Sequence, residues 1–329
     1  MQSVVRHRNW LSILAVVAMN CAVASAGLAQ QVDGKTKTPK STAAATQAKS
    51  EAKSETKPEP KPTLVVGSTT VTTSDVDYVG KGHPQQTLDI YAPRGVSAAP
   101  VYVFIHGGGW NKRDKDEVGS QPKLFNNSGI VVASINYRLV PAVQHPENVR
   151  DVAAAIAWLV KNVAKHGGDP RKIVLMGHSA GSHLAALVAT DERYLAAHGL
   201  RRNSLAGVIC LDGSAFDIPD RVKNGAATIA ENCRRAFGES VEQQIDGSPV
   251  NHVKGTPPPP PFFLVYLNPD SLNYKQSTHF ANQLQKVGGS ATVTQMSDGK
   301  THQSLCDDLG TAHDRTGPLL VEFVKSVCK

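Results

Sequence analysis

Lys172-Ile173-Val174-Leu175-Met176-Gly177-His178-Ser179-Ala180-Gly181 runs into Ser182-His183-Leu184-Ala185-Ala186-Leu187-Val188-Ala189. Ile173 to Met176 are a short β-branched and apolar run, which reads as a strand. The residues after Gly181 read as a helix. Between them stands G-x-S-x-G, in the strand–turn–helix context that gives this motif its meaning. A side chain at 177 or 181 would strike neighbouring backbone in so sharp a turn. The turn holds Ser179 in strained dihedrals with its hydroxyl above the sheet. The helix begins at once, so its free N–H groups and positive dipole end face any oxyanion formed there.

Upstream, Val101-Tyr102-Val103-Phe104-Ile105 is another buried strand, and it ends in His106-Gly107-Gly108-Gly109-Trp110. Successive glycines let backbone approach a substrate closely and adopt conformations closed to other residues. The loop and the elbow together predict an oxyanion hole with donors from Gly108, Gly109 and Ala180. Trp110 and His178 are expected to border the pocket. His106 is expected to prop the loop without transferring protons.

A serine hydroxyl is a weak nucleophile near neutrality and needs a base, which in turn needs an orienting carboxylate. Elbow serines take these partners in chain order serine, acid, histidine. His302 follows the last expected strand on a loop and is the predicted base; His313 falls in an expected helix. Asp270, just past the strand at 262–267, is the predicted acid. Asp212, at the end of the preceding strand, is the rival. Asp298 is too close to His302 along the chain.

The remaining elements repeat an α/β rhythm. Strands are expected at 64–78, 86–91, 130–135, 205–211 and 291–295, and helices at 148–161, 277–287 and 309–327. The segment 213–256 reads as a polar, cap-like insertion of short helices. Strands alternating with helices imply a parallel sheet with helices on both faces. Asp151, early in its helix, reads as a carboxylate stabilised by the dipole.

The N-terminus carries other signals. Arg6 and Arg8, the apolar run 11–24 and Ala24-Ser25-Ala26 predict a secretory signal over 1–29, and hence a periplasmic or secreted protein without stable membrane insertion after cleavage. Residues 30–62 hold almost no large apolar side chain and read as a disordered linker. Residues 63–329 then form one domain. The formal charge of +7 over 329 residues is concentrated in the leader and linker, so it does not argue for nucleic-acid binding. Cys210, Cys233, Cys306 and Cys328 allow three disulfide connectivities if oxidised; Cys306 with Cys328 would tie the loop after His302 to the last helix. No metal motif and no G-x-G-x-x-G after a strand occurs, so no cofactor is expected.

His106-Gly107-Gly108-Gly109-Trp110, Asn136-Tyr137-Arg138-Leu139, the Asp151 helix and Gly177-His178-Ser179-Ala180-Gly181 together resemble α/β-hydrolase fold esterases over roughly residues 70–328. The likeness is to the HGGGW branch, which includes hormone-sensitive-lipase-like carboxylesterases, feruloyl-esterase-like hydrolases and kynurenine formamidases. It implies a mostly parallel eight-stranded sheet with helices on both faces and a small cap insertion. It also implies a serine esterase mechanism on Ser179, Asp270 and His302, with a small-molecule or glycan-linked ester as substrate. Two departures stand out. The family often has Gly-Asp-Lys where this chain has Arg113-Asp114-Lys115. Its acid strand usually ends in His-Gly-x-x-Asp, and here the residues are Leu267-Asn268-Pro269-Asp270. The alternatives are an arylformamidase-type amidase and a non-catalytic binding protein on the same fold. Formamide substrates would discriminate the first, and a lost nucleophile would have marked the second. The oligomeric state is not readable from the chain.

Overall fold

The structure, a computed structural model, describes residues 69–296 and 299–329. The expected signal, the linker and the first residues of the expected opening strand lie outside these, as does Asp298. The described residues hold eight strands: β1 (Thr70–Asp77), β2 (Thr87–Pro93), β3 (Ala99–Ile105), β4 (Val131–Ile135), β5 (Gly168–His178), β6 (Gly207–Leu211), β7 (Phe262–Tyr266) and β8 (Ala291–Gln295). They form one sheet in the order β1-β2-β4-β3-β5-β6-β7-β8. The β1–β2 and β2–β4 pairings are antiparallel. From β4 to β8 every pairing is parallel.

The helices are α1 (Gln121–Asn126), α2 (Glu147–Asn162), α3 (Ala180–Thr190), α4 (Glu192–Ala196), α5 (Ile218–Asn224), α6 (Ala227–Phe237), α7 (Val241–Asp246), α8 (Leu272–Lys286), α9 (Ser304–Asp307) and α10 (Gly317–Val327). Alternation along β3 shows how they cover the sheet. Val101, Val103 and Ile105 pack on the face shared with Val152 and Ile156 of α2, Leu184 of α3 and Phe280 of α8. Tyr102 and Phe104 point the other way, against Phe125 of α1 and Leu320 and Val324 of α10. A strand buried on both faces has no polar side to alternate with, hence its unbroken apolar run.

The expected helix over 309–327 is shorter than its sequence suggests. Gly310 adopts φ +81°, and the Asp314 carboxylate accepts from the N–H groups of Gly310, Thr316 and Gly317 at 2.6–2.9 Å. These bonds hold the segment in turns until α10 begins, so His313 lies in a turn. The segment 213–256 does hold short helices, α5 to α7. The four cysteines of the described residues are all buried and unpaired, so no Cys306–Cys328 bridge forms.

Asn136-Tyr137-Arg138 follows β4 and braces the fold beneath the glycine loop. The Tyr137 hydroxyl donates toward the carbonyls of His106 and Gly107, each at 3.1 Å, and its ring stacks on His106 at 4.4 Å. Arg138 makes two side-chain bonds of 2.8 Å to Asp151, and Gln86 adds a third from β2's approach at 2.7 Å. Asp151 is therefore the buried half of an ion pair, which binds it more strongly than the helix dipole alone. In the unusual triplet, Asp114 accepts from Asn136 at 2.8 Å. Lys115 reaches Asp75, Asp89 and Asp116, each at 3.0 Å.

Candidate active site

Parallel strands place their C-terminal ends along one rim, where such sheets bind ligands. Gly107–Gly109 follow β3, Ser179 follows β5, Asp212 follows β6, and His302 lies in the loop after β8. These groups meet around a cavity of about 610 Å³, whose lining includes Gly108, Gly109, Ser179, Ala180, Asp212 and His302.

The elbow is as tight as its glycines imply. A Cβ on Gly177 would lie 2.1 Å from the Gly181 carbonyl group, and one on Gly181 would lie 2.1 Å from the Ile105 carbonyl oxygen. Ser179 takes φ +55° and ψ −117°, a combination rare for a residue with a side chain. The Ser179 N–H donates to the Leu211 carbonyl at 3.1 Å, while the Ser179 carbonyl accepts from Ser182 at 3.0 Å. Ser182 Oγ donates to the Gly177 carbonyl at 2.6 Å. The strained turn is thus pinned from both sides.

The glycine loop is pressed against this turn. A Cβ on Gly107 would come within 2.9 Å of the His178 carbonyl oxygen and 3.1 Å of the Ser179 Cβ. Gly108 and Gly109 have φ +94° and +61°, and a Cβ on Gly108 would overlap the Lys112 carbonyl oxygen at 2.2 Å. Their N–H groups donate to no partner among the described residues. Ala180 opens α3, where an N–H has no intrahelical acceptor.

His302 and Asp212 form the site's short contact: Nδ1 of His302 lies 2.6 Å from Asp212 Oδ2. An acceptor carboxylate on Nδ1 assigns the proton there and leaves Nε2 free to act as acceptor. The other Asp212 oxygen accepts from Asn273 Nδ2 at 3.2 Å. Burial alone would raise the pKa of Asp212. The hydrogen bonds from His302 and Asn273 outweigh it and hold the carboxyl below its usual value.

The predicted acid is displaced from the site, a correction to the sequence reading. Asp270 is exposed and borders a different hollow, with Asp217, Asp220 and Lys275. The reason is local. Asn268 Oδ1 accepts from the Asp270 N–H at 2.9 Å, and Ser271 Oγ donates to the Asn268 carbonyl at 2.6 Å. Ser271 then caps α8. The chain after β7 closes into a tight turn and enters its helix directly, and no loop remains to carry a carboxylate toward His302. Asp212 instead sits at φ +41°, with its N–H bonded to the Val265 carbonyl at 2.8 Å. The residue after it is glycine because a Cβ there would come within 2.5 Å of Ser182 Cβ. Asp212-Gly213 at a strand end was the available signal.

Both expected pocket residues border the cavity, but each is held by packing. His178 Nε2 bonds the His302 carbonyl at 2.8 Å, which can only accept, so the nitrogen carries the proton. Burial first, then the neighbouring His302, push its pKa down to about 3. His178 is thus a neutral donor that holds the backbone of His302. Trp110 is 4 % exposed. Its Nε1 donates to His183 Nδ1 at 3.3 Å, and its ring meets Phe237 edge-on at 5.0 Å. His183 in turn bonds the Gly247 carbonyl at 2.7 Å, and burial lowers its pKa to about 3. His106 bonds the Gly107 carbonyl at 3.0 Å, and burial lowers it to about 4.

Residues 88–284 match the family model BD-FAE. The chain belongs to the BD-FAE family and has the α/β-hydrolase fold. It is 31 % identical over 221 residues to the esterase LipC of Mycobacterium tuberculosis, covering 63 % of this chain and 54 % of that protein. It is 28 % identical over 245 residues to a probable isoprenylcysteine alpha-carbonyl methylesterase of Arabidopsis thaliana, covering 68 % and 49 %. The chain thus spans about half the length of these curated relatives. Among solved structures it resembles esterase B of Lactobacillus rhamnosis, with a TM-score of 0.68, 22 % identity and coverage of 80 % and 89 %. It also resembles an esterase of Pyrobaculum calidifontis, with a TM-score of 0.59, 25 % identity and coverage of 73 % and 80 %.

Proposed function

We propose that this protein is a serine carboxylesterase working through an acyl-enzyme. The observation that carries the reading is the 2.6 Å contact of His302 Nδ1 with Asp212, on the rim of a cavity that also exposes the strained Ser179. Asp212 orients His302 and stabilises its imidazolium. His302 Nε2 takes the Ser179 proton as the oxygen attacks the ester carbonyl. The tetrahedral oxyanion is held by the N–H groups of Gly108, Gly109 and Ala180. The imidazolium protonates the departing alcohol, and the same nitrogen then activates water to release the acid.

The substrate is a small or medium carboxylic ester. Export predicted from residues 1–29 makes acyl groups on extracellular polysaccharide the natural candidates. No helix among the described residues is long and apolar enough to cross a membrane. The test is hydrolysis of nitrophenyl esters from acetate to dodecanoate by the protein and its Ser179→Ala variant. Turnover of the short esters, lost in the variant, is expected; turnover that survives the substitution refutes the assignment of the nucleophile. Acetylated and feruloylated oligosaccharides test the glycan reading. The export reading is tested by sequencing the N-terminus of the mature protein: a full-length product retained in the cytoplasm would oppose it.

A further inference from the structure

The mechanism above uses none of the cations that line the cavity, and one of them is buried. Arg221, on α5, is 5 % exposed and lines the same cavity as Ser179 and His302. Its Nε is buried without a hydrogen-bond partner, and among the described residues its guanidinium takes part in no ion pair. A guanidinium keeps its charge at any working pH. Burying it unpaired is costly, and such a group requires an explanation.

The nearby carboxylates are engaged elsewhere. Asp212 holds His302 at 2.6 Å and Asn273 at 3.2 Å. Asp220 accepts from Asn224 at 2.8 Å and from Gln276 at 2.7 Å. Asp217 caps α5 by accepting from the Asp220 N–H at 3.1 Å. Arg113, also on the cavity, is matched by Glu117 and Gln303. Lys112 adds a further positive charge to the lining. The cavity therefore carries more positive than negative charge beside the nucleophile, and Arg221 is its buried, unpaired cation. A planar guanidinium with free N–H groups suits one ligand chemistry above others: a carboxylate, taken by paired charge-assisted hydrogen bonds.

We propose that Arg221 is a specificity-determining residue that binds a carboxylate carried by the substrate, so that the enzyme prefers esters bearing an acidic group. This rests on the ester-hydrolase reading of the site and names its substrate class. The acid can stand on the acyl or on the alcohol side of the scissile bond, and two matched pairs distinguish these. Mono-4-nitrophenyl adipate against 4-nitrophenyl hexanoate tests the acyl side. 3-Acetoxybenzoate against 3-methylphenyl acetate tests the alcohol side.

The quantity read is the ratio of kcat/KM for the acidic and neutral members of each pair, which cancels any change in the folded fraction. In the unsubstituted protein the ratio should exceed one in at least one pair. It should fall by about 10- to 100-fold in Arg221→Met, the range expected for losing hydrogen bonds to a charged group. Arg221→Lys should restore part of it, and added salt should depress it less than a surface interaction would be depressed. Equal ratios in the protein and in Arg221→Met, in both pairs, overturn the proposal. Calorimetric binding of adipate and benzoate separates this failure from that of the hydrolase reading. Arg221-dependent binding without turnover of any ester keeps the carboxylate site and rejects the hydrolase. Turnover of neutral esters without Arg221-dependent preference or binding does the reverse.

Discussion

Asp212 and His302 stand 90 residues apart in the chain, and their side chains meet at 2.6 Å. Replacing Asp212 by Asn removes the charge that favours the imidazolium and allows the wrong tautomer. The expected loss in kcat is roughly a thousandfold to ten-thousandfold. Asp270→Asn, in the turn before α8, should leave kcat within about twofold, as exposed substitutions away from a site do. Measuring both variants on one short ester decides between the two carboxylates. A large loss at Asp270 with none at Asp212 would refute the geometry.

His178 acts on His302 through its backbone, by the 2.8 Å bond to the carbonyl. His178→Phe keeps the bulk and removes the donor. It should lower kcat by about tenfold with a smaller change in KM, because the base is misplaced while the pocket is retained. Since His178 stays neutral down to about pH 3, the acid limb of the pH–rate profile should keep its midpoint in the variant. A shifted midpoint would show that His178 titrates in the working range.

Three buried histidines make stability depend on pH. The native pKa values of His106, His178 and His183 are lowered to about 4, 3 and 3, against about 6.5 in the unfolded chain. Between these limits the unfolded state binds protons that the native state refuses. Their stabilisation is therefore full above about pH 6.5 and is lost as the pH falls toward 4. Each histidine contributes a slope of about 1.4 kcal/mol per pH unit in that window. Urea unfolding at pH 7, 6 and 5 should show the decline. His183→Gln should shallow the slope by about one proton, and an unchanged slope would exclude His183 as a contributor.

Gly181 has no room for a methyl group, since its Cβ would lie 2.1 Å from a backbone oxygen of β3. Gly181→Ala should destabilise the protein by about 3 kcal/mol or abolish folding, because backbone cannot yield as a side chain can. Gly299, at φ +71° with open space around its Cβ position, should lose only about 1 kcal/mol on change to Ala, from backbone strain alone. Comparison of the two melting curves checks this; equal losses would refute the crowding argument.

Much of this molecule is determined within short stretches of its own sequence. The short apolar runs within β3 to β7 read as strands covered on both faces. Gly177 and Gly108 are demanded by contacts that backbone makes within a single tight turn. Such constraints are local and steric, so they are legible one segment at a time. Asp212 against Asp270, and the isolation of Arg221, are of another kind. The first depends on which strand end faces the loop after β8, and on an Asn268 turn that withdraws Asp270. The second depends on which carboxylates around α5 are already engaged by side chains from distant elements. Hydrogen bonds between groups far apart in the chain exist only once the sheet has assembled, and the tertiary structure alone decides which partners meet.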